Sequence, residues 1–283
     1  MNAPAAAARP ISVGIVGTGE MGRPLVDRLL AAGHDVTAFA RRPEVCADLT
    51  HAGATVVDDL RAMAADREIV VVYVYTDDQA RDLVLDGGIL EVMPSGSTLI
   101  IHTTGSPDTA IDIAQRARGR SIEVVDAPGT GGPAQVAEGS LTLFVGGADP
   151  VILSLEPFFA AYATRVVHFG GVGAGQRMKL LNNLLFGAHV QFAAEAGRLC
   201  AAMGLDESLV LTTLHGASGG SSAIDMAAAM GSSQQLVDLA GRFIHKDVLV
   251  ARSLAADLDV DLGTLGPVTD RVLDLTDDGS AHR

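Results

Sequence analysis

The sequence predicts two domains: an α/β domain built on a doubly wound parallel sheet, and an all-α domain after it. Over the first 170 or so residues, short apolar segments alternate with helical stretches, which is typical of βαβ units. From residue 172 through residue 266 proline is absent, and Ala, Leu and Met recur at helical spacing. A single long helix, residues 174–203, is predicted where the first pattern gives way to the second.

Each predicted strand is a short apolar run. The first few are rich in β-branched residues, as expected of strands buried on both faces of a parallel sheet. The predicted strands are 11–17, 35–39, 69–75, 98–103, 122–128, 141–147 and 165–170. Helical stretches of usable length separate most of them, for example residues 21–32 and 109–117.

The long helix marks the boundary between the predicted domains. With a rise of about 1.5 Å per residue it would measure ~45 Å, and a helix of this length usually spans two domains or lies in a subunit interface. We therefore predict a flexible tail (residues 1–10), an α/β domain (11–172) and a helical domain (173–283). The tail contains no apolar core of the kind found in a signal peptide.

The composition disfavours several classes of partner. The formal net charge is −14 and the isoelectric point is near 4.8, so the protein repels nucleic-acid phosphates and anionic lipids. No apolar run approaches the ~20 residues of a membrane span. Neither cysteine, Cys46 or Cys200, lies in a Cys-x-x-Cys motif, and the histidines lack ligand spacing. We therefore predict a cytoplasmic protein that binds neither nucleic acid nor membrane and holds no metal.

The strongest motif of the first domain lies between a predicted strand and an amphipathic helix. It is the G-x-G-x-x-G pattern Gly17-Thr18-Gly19-Glu20-Met21-Gly22. In dinucleotide-binding Rossmann domains the first glycine makes a tight turn, the second lets the backbone approach a pyrophosphate, and the third allows close packing of helix on strand. With a second strand at the expected distance, the pattern predicts dinucleotide binding by these six residues. The alternative is a glycine-rich turn that binds no ligand.

The residues after the second predicted strand indicate which dinucleotide is bound. NAD-binding domains usually carry an Asp or Glu there, which hydrogen-bonds the ribose hydroxyls. This chain has Ala40 at that position, followed by Arg41 and Arg42. Because a guanidinium pair can bind a 2′-phosphate through charge-assisted hydrogen bonds, we expect NADP to be favoured over NAD. Two solvated arginines on a loop are the alternative.

Polar residues stand at the head of an otherwise apolar part of the long helix. Lys179 and Asn183 are four residues apart, on one helical face, whereas Asn182 points ~100° away from Asn183. Residues 180–194 include no formally charged side chain. The pattern indicates a site in which Lys179 and Asn183 act together, with a structural or supporting role for Asn182.

Two further stretches carry polar groups. Thr130, Gly131 and Gly132 follow a predicted strand, and the backbone N–H groups of such a loop can hold a carboxylate. An ordinary glycine loop before a hairpin is the alternative. Lys246 and Asp247 lie beside an apolar helical segment, where an exposed ion pair is the alternative interpretation.

Taken in order, four motifs resemble the β-hydroxyacid dehydrogenase family, which includes 3-hydroxyisobutyrate dehydrogenase and tartronate semialdehyde reductase. They are GIVGTGEMG, DAPGTGG with GSLTLFVGG, GAGQRMKLLNN and FIHKDV, and they span residues 11 to about 255. The resemblance implies an N-terminal Rossmann domain, a helical C-terminal domain, and catalysis in the cleft between them.

The resemblance also implies roles for individual residues. The family's catalytic lysine matches Lys179, and its substrate-orienting asparagine matches Asn183. Its substrate-binding Ser-Gly-Gly matches residues 130–132. A later lysine, near substrate and cofactor, matches Lys246, and the threonine on the nicotinamide side matches Thr104, in IIHTTGSP.

These residue types suit hydride transfer coupled to proton transfer. In oxidation a neutral Lys179 would take the hydroxyl proton as hydride leaves the same carbon, and in reduction its ammonium would protonate the forming alkoxide. A free lysine has a pKa of about 10.4, which is too high for a base at neutral pH. We expect burial in an apolar helix, and a second cation such as Lys246, to lower the pKa of a lysine at this position.

Several residues depart from the family pattern. Thr130 replaces the usual Ser, and Gly129 replaces a common Val. The stretch VYVYTDD (residues 72–78) stands where many relatives have a Pro-containing turn, and Arg177 is bulkier than the residue often found there. We therefore expect the substrate loop and the wall beside the nicotinamide to differ from those of relatives.

The sequence thus leads to an NADP-dependent oxidoreductase acting on a small β-hydroxy acid or its semialdehyde. One alternative is an imine reductase, since such enzymes share the architecture and favour NADP, although they usually lack the Lys/Asn pair. Another is a non-catalytic cofactor-binding module, which the presence of both Lys179 and Asn183 disfavours. The long helix and the apolar second domain predict a homodimer or homotetramer.

Overall fold

The computed structural model describes residues 9–276. The chain forms two compact units, which divide between Lys179 and Leu180. This division lies inside the long helix, later than the predicted boundary at residue 172/173. The predicted tail of residues 1–10 lies outside the described residues, apart from Arg9 and Pro10.

Strands of the first unit form one sheet. Those in the described residues are β1 (Ser12–Val16), β2 (Asp35–Phe39), β3 (Thr55–Val57), β4 (Ile69–Val72), β5 (Thr98–Ile101), β6 (Glu123–Asp126), β7 (Gly129–Thr130), β8 (Leu141–Gly146) and β9 (Ala163–Gly170). Their order is β3-β2-β1-β4-β5-β6-β8-β7, and β9 pairs with β8. Strands β1 to β6 are parallel, whereas β8 runs antiparallel to β6 and β7 and parallel to β9. Because β1 lies between β2 and β4, the strand order reverses at the end of β1, where doubly wound sheets bind their ligands.

Helices cover both faces of this sheet. They are α1 (Gly22–Ala31), α2 (Pro43–Ala52), α3 (Leu60–Ala64), α4 (Asp77–Leu85), α5 (Ile89–Val92), α6 (Pro107–Arg118), α7 (Pro133–Glu138) and α8 (Asp149–Phe159). Successive residues of β4 enter two separate apolar clusters: Ile69 and Val71 pack into one, Val70 and Val72 into the other. Burial on both faces explains why the central strands read as unbroken apolar runs. The predicted doubly wound α/β architecture is confirmed.

The structure differs from the predicted strands at three places. Strands β3 and β7 were not predicted; they are three and two residues long, too short for a recognisable pattern. The strand predicted over residues 69–75 ends at Val72. It ends there because the N–H of Val74 donates to Oγ1 of Thr103 (2.9 Å) and not to a neighbouring strand.

The second unit is helical, as predicted. Helix α9 (Ala174–Met203) has the predicted bounds, and α10 (Glu207–Leu214), α11 (Ser222–Met230), α12 (Ser233–Asp257) and α13 (Leu265–Thr276) follow it. Side-chain oxygens of Asp206, Ser221 and Ser232 cap α10, α11 and α12 by accepting backbone N–H groups. No described helix combines the length and the hydropathy that crossing a membrane requires.

One stripe along α9 is apolar and exposed. Its large side chains are each at least 42% exposed; they are Leu181, Leu185, Phe192, Leu199 and Met203. Spacings of four and seven residues keep all five within about 40° of one another around the helix axis, at about 100° per residue. The helix thus has a continuous apolar face in addition to the face that packs into the second unit's core.

Candidate active site

The turn from β1 to α1 can be built only with glycine at two positions. Gly17 has a φ of +97°, and a Cβ there would lie 2.2 Å from the carbonyl oxygen of Tyr73. A Cβ on Gly22 would lie 1.9 Å from the carbonyl oxygen of Gly17. Gly19 is different, because it is exposed and its Cβ would meet nothing within 4 Å. The open space above Gly19 is where a ligand could approach the backbone.

The start of α1 fits a pyrophosphate. Within the described chain no side chain caps this helix, and its first turn holds no acidic residue. In its first turn the N–H of Arg23 donates to the carbonyl oxygen of Gly19 (2.8 Å) and Pro24 has no N–H, but no carboxylate competes there and the positive end of the helix dipole favours an anion. Of the intervening residues, Thr18 and Met21 are half-buried and Glu20 is exposed. The glycine turn and this helix start together suit a dinucleotide.

The end of β2 carries the two predicted 2′-phosphate ligands. The guanidinium of Arg41 lies 5.6 Å from the ring centroid of Phe39, a cation–π contact. Arg42 is exposed, and its Nε lies 3.9 Å from a carboxylate oxygen of Glu44. Ala40 lines an open cavity of about 440 Å³, which Asp58 and Asp59 also line. The end of β2 thus carries two guanidinium groups beside an open cavity that is also lined by carboxylates.

Below the loop that contains Thr104 lies a buried polar cluster. His102 Nδ1 lies 2.6 Å from the carbonyl oxygen of Ala127, and its Nε2 lies 3.0 Å from the hydroxyl of Tyr162. Burial lowers the pKa of His102 to about 4, against the raising effect of the hydrogen bond to Ala127. The ring is therefore neutral at pH 7, with Nδ1–H donating and Nε2 accepting. The cluster joins the ends of β5 and β6 beneath the candidate nicotinamide loop.

The first turn of α9, which precedes Lys179, docks against the ends of β6 and β8. Asp126 accepts hydrogen bonds from the N–H of Gly173 (2.6 Å) and from the N–H of Gln176 (2.8 Å). A Cβ on Gly175 would lie 2.4 Å from the carbonyl oxygen of Phe144, so only glycine permits this approach. Burial raises the pKa of Asp126 to about 6, and the hydrogen bonds from the helix N–H groups oppose that rise.

In the second unit, Asn183 belongs to a buried hydrogen-bonded chain. Its Nδ2 donates to Asp247 Oδ2 (2.5 Å), and its Oδ1 accepts from Asn182 Nδ2 (2.9 Å). Lys246 Nζ lies 2.5 Å from Asp247 Oδ1. Asp247 is 4% exposed, so this is not the exposed ion pair of the alternative interpretation. Asn182 fixes the orientation of the Asn183 amide through this hydrogen bond.

The predicted substrate loop has a more constrained backbone than the sequence indicates. Thr130 belongs to β7, where it pairs with Thr142 of β8. Gly131 has a φ of +121°, in the region that favours glycine. The N–H of Gly132 donates to the side-chain oxygen of Gln135 (2.8 Å), so a carboxylate bound by this amide would displace that side chain.

The described residues hold no cluster of three or more His, Cys, Asp or Glu side chains arranged for a metal ion. Within the first unit lie the predicted cofactor residues 17–22, 41, 42 and 104, the loop 130–132 and Lys179. Within the second lie Asn183 and Lys246.

Comparison with known proteins identifies the family. The model for the NAD binding domain of 6-phosphogluconate dehydrogenase matches residues 12–171, and the model for the NAD-binding domain of NADP-dependent 3-hydroxyisobutyrate dehydrogenase matches residues 173–282. An uncharacterized oxidoreductase of Mycobacterium tuberculosis is 35% identical over 195 residues, 69% of this chain and 66% of that protein. The 3-hydroxyisobutyrate dehydrogenase of Pseudomonas aeruginosa is 30% identical over 215 residues, 76% of this chain and 72% of that enzyme. The chain belongs to the β-hydroxyacid dehydrogenase family.

Solved structures share the fold of this β-hydroxyacid dehydrogenase family member. A 3-hydroxyisobutyrate dehydrogenase from Salmonella typhimurium has a TM-score of 0.80 at 26% identity, and the match covers 93% of each chain. An imine reductase from Myxococcus stipitatus, in complex with NAD+, has a TM-score of 0.67 at 17% identity, and the match covers 94% of each chain. The second likeness shows the fold alone. The chain is thus an NAD(P)-dependent oxidoreductase by family.

For this β-hydroxyacid dehydrogenase homologue, sequence reasoning gave no separate role to three polar residues, Asp126, Gln176 and Asp247, each less than 9% exposed. Asp247 was named together with Lys246, and the structure buries it. Asp126 and Gln176 lie in the motifs DAPGTGG and GAGQRMKLLNN, but their hydrogen-bond partners are distant along the chain, so no local pattern indicated what they bind.

Proposed function

We propose that this protein transfers hydride between NADP and a small β-hydroxy acid or its semialdehyde, with Lys179 as general acid/base. One observation carries the proposal most directly. The chain has 20 Lys and Arg residues, and only two of them, Lys179 and Lys246, are lysines. Arginine stays protonated in proteins, whereas the pKa of lysine responds to burial. Arginine thus supplies every other side-chain cation, and lysine occurs only at the two positions where the family places chemistry.

The second support is the fixed amide four residues after Lys179 on α9. Asn183 is 5% exposed, and both ends of its amide have a protein partner. Its Nδ2 carries a second hydrogen beyond the one that faces Asp247, so it can still donate to a substrate hydroxyl. A neutral amide adds no charge beside Lys179. Asn183 would therefore orient the substrate oxygen without stabilising either protonation state of the lysine.

In the proposed mechanism the bound nicotinamide supplies or accepts the hydride. During reduction Lys179 gives its proton to the oxygen that becomes the hydroxyl, and during oxidation it takes that proton away. Thr130 offers its hydroxyl to the substrate carboxylate, and Lys246 adds a positive charge balanced by Asp247. Thr104 lies on the nicotinamide side. The preference for NADP rests on Arg41 and Arg42 and on the lack of an acid at Ala40.

The test is NADPH oxidation with a panel of aldehydes, keto acids and cyclic imines, using wild type, Lys179→Ala and Lys179→Arg. Lys179→Arg is the decisive control, because it keeps the positive charge but its guanidinium does not give up a proton at neutral pH. We expect kcat to fall by about 100- to 10,000-fold in both variants, the usual contribution of a general acid/base. The Kd for NADPH should remain within a few fold of wild type. Full activity in Lys179→Ala or Lys179→Arg would refute the mechanism.

The second candidate is an imine reductase, and the shared fold with the Myxococcus stipitatus enzyme favours it. It predicts turnover of cyclic imines in preference to keto acids or aldehydes. Tight NADPH binding without turnover of any compound in the panel would favour a non-catalytic module instead.

We also propose that the protein is a cytoplasmic homodimer or homotetramer. The apolar stripe of α9 supports self-association, because a face of five large exposed side chains is costly to leave in water. A monomer mass in sedimentation equilibrium would contradict this proposal.

A further inference from the structure

Gln176 holds the chain on both sides of Thr104. Its side-chain oxygen accepts from the N–H of Gly105 (3.0 Å), and its side-chain nitrogen donates to the carbonyl oxygen of Thr103 (2.8 Å). Gln176 is 1% exposed, so both bonds are shielded from water. One side-chain amide thus hydrogen-bonds the backbone of the residue before Thr104 and of the residue after it.

The backbone of Gln176 is fixed as firmly as its side chain. Its N–H donates to Asp126, which also holds the N–H of Gly173, so the first turn of α9 is attached to the end of β6. Gln176 therefore joins three elements: the loop after β5, the end of β6 and the start of α9.

The loop is also held from its other side. A Cβ on Gly105 would lie 1.9 Å from Asp77 Oδ1, so the backbone of Gly105 packs directly against that carboxylate. Asp77 Oδ2 in turn accepts from the hydroxyl of Thr109 (2.5 Å). Asp77 belongs to the VYVYTDD stretch, which departs from the family's Pro-containing turn. The loop around Thr104 is thus enclosed between Asp77 and Gln176.

Lys179 follows Gln176 by three residues on α9, so the two side chains leave neighbouring positions of one helical face. We propose that Gln176 is a positioning residue, which sets the place of Lys179 relative to the nicotinamide loop around Thr104. The proposal rests on the proposed function, because it gives Lys179 the role of proton donor and acceptor. Gln176 itself has no contact with reacting atoms; it acts through the loop and the helix turn.

Gln191 offers a matched control. It is a second buried glutamine of α9, 5% exposed, and its side-chain nitrogen donates to Glu195 (3.2 Å). Its side-chain oxygen has no hydrogen-bond partner in the described structure. Gln176→Met and Gln191→Met therefore make the same change, on the same helix and at similar burial. Only the first removes hydrogen bonds to the Thr104 loop.

The kinetic test compares kcat, KM and the Kd for NADPH in these two variants. We expect Gln176→Met to lower kcat by about 10- to 100-fold, because a displacement near 1 Å can cost about 100-fold in rate. The Kd for NADPH should stay within about 3-fold, since the glycine turn is untouched. Gln191→Met should retain wild-type kcat. Equal kcat values in the two variants would overturn the proposal.

A spectroscopic test does not depend on turnover. Reductive methylation with ¹³C-formaldehyde labels the two lysines and the N-terminal amine, and the resonance that is absent from labelled Lys179→Arg is that of Lys179. We expect Gln176→Met to shift the Lys179 resonance and to leave that of Lys246 in place. If wild type turns over none of the panel and this shift appears, the proposed function fails and the positioning by Gln176 stands. An unmoved Lys179 resonance refutes the positioning even in an active enzyme.

Gln176→Glu guards against a folding failure of the methionine variant. Its carboxylate can still accept from the N–H of Gly105, but it cannot donate to the carbonyl oxygen of Thr103. We expect a kcat and a Lys179 resonance between those of wild type and Gln176→Met. A Gln176→Glu variant that folds and matches wild type in both readouts would contradict the role of the two hydrogen bonds from the Gln176 side chain to Thr103 and Gly105.

Discussion

The buried His102 makes the stability of the first unit depend on pH. Its pKa in the folded protein, about 4, lies below the ordinary value of 6.5. Because the folded pKa is lowered, the stabilising contribution is fully present above pH 6.5 and is lost as the pH falls through 4. The difference between the two values corresponds to about 3 kcal/mol in the free energy of unfolding, at about 1.4 kcal/mol per pKa unit.

Asp126 changes the free energy of unfolding in the opposite direction to His102, over almost the same pH range. Its pKa is raised from 3.8 to about 6, so its contribution is fully present below pH 3.8 and is lost as the pH rises through 6. The pH dependence of the wild-type free energy of unfolding therefore contains two contributions of opposite sign, one from His102 and one from Asp126. Comparison with a variant that lacks only the histidine isolates the contribution of His102.

The variant is His102→Asn, whose amide can donate to Ala127 in place of Nδ1 but does not titrate. Its free energy of unfolding should differ from that of wild type by a constant above pH 7. This difference should shift by about 3 kcal/mol in favour of the variant between pH 7 and pH 4. His51→Asn, which changes an exposed histidine on α2, serves as the control and should track wild type throughout.

Urea unfolding followed by tyrosine emission suits this measurement. The chain has no tryptophan and three tyrosines, Tyr73, Tyr75 and Tyr162, all in the first unit. Two of them flank His102, with ring centroids 5.2 Å and 5.6 Å from the imidazole. The signal therefore reports the unit that contains the histidine. A difference between His102→Asn and wild type that is equal at pH 7 and pH 4 would show that the imidazole is not held neutral by burial.

The glycine turn and the arginine pair give two further predictions. Gly19→Ala should leave the urea midpoint unchanged and raise the Kd for NADPH by about 10-fold, because its Cβ meets no protein atom but would meet the cofactor. Gly22→Ala should lower the free energy of unfolding by about 3 kcal/mol, because its Cβ meets backbone. Equal urea midpoints for the two variants would contradict these different roles of the two glycines. Replacing both Arg41 and Arg42 with Ala should raise the Kd for NADPH by about 10- to 100-fold and leave that for NADH unchanged, since charge-assisted bonds to the 2′-phosphate are lost. Parallel loss of both cofactors in fluorescence titrations would count against NADP preference.

Features of the fold that depend on residues close together in the chain could be predicted from the sequence, whereas features that depend on residues far apart could not. The bounds of α9 and the place of the glycine turn depend on neighbouring residues, and the structure has both where the sequence put them. Strand β3 was not predicted, because three residues are too few to show a periodic pattern of hydrophobicity. The early end of β4 depends on the Thr103 hydroxyl, which is 29 residues from Val74 in the chain.

The same argument explains which candidate site residues the sequence indicated. Lys179 and Asn183 stand out because polar groups interrupt an apolar helix, a local signal. Gln176 lies in the same motif, but its side chain hydrogen-bonds Gly105 and Thr103, which precede it in the chain by 71 and 73 positions. A single sequence contains no trace of such a pairing, since only the folded sheet brings the ends of β5 and β6 to the start of α9.

The scarcity of lysine has a practical consequence. A lysine-specific endoprotease has two cleavage positions in this chain, after Lys179 and after Lys246, and the first coincides with the division between the two units. Cleavage within a helix requires that the helix open locally. The rate of cutting after Lys179 therefore measures the opening of the one turn that carries the proposed acid/base. Any ligand that orders this turn will slow that cut, so protection from digestion can be screened before a substrate is known.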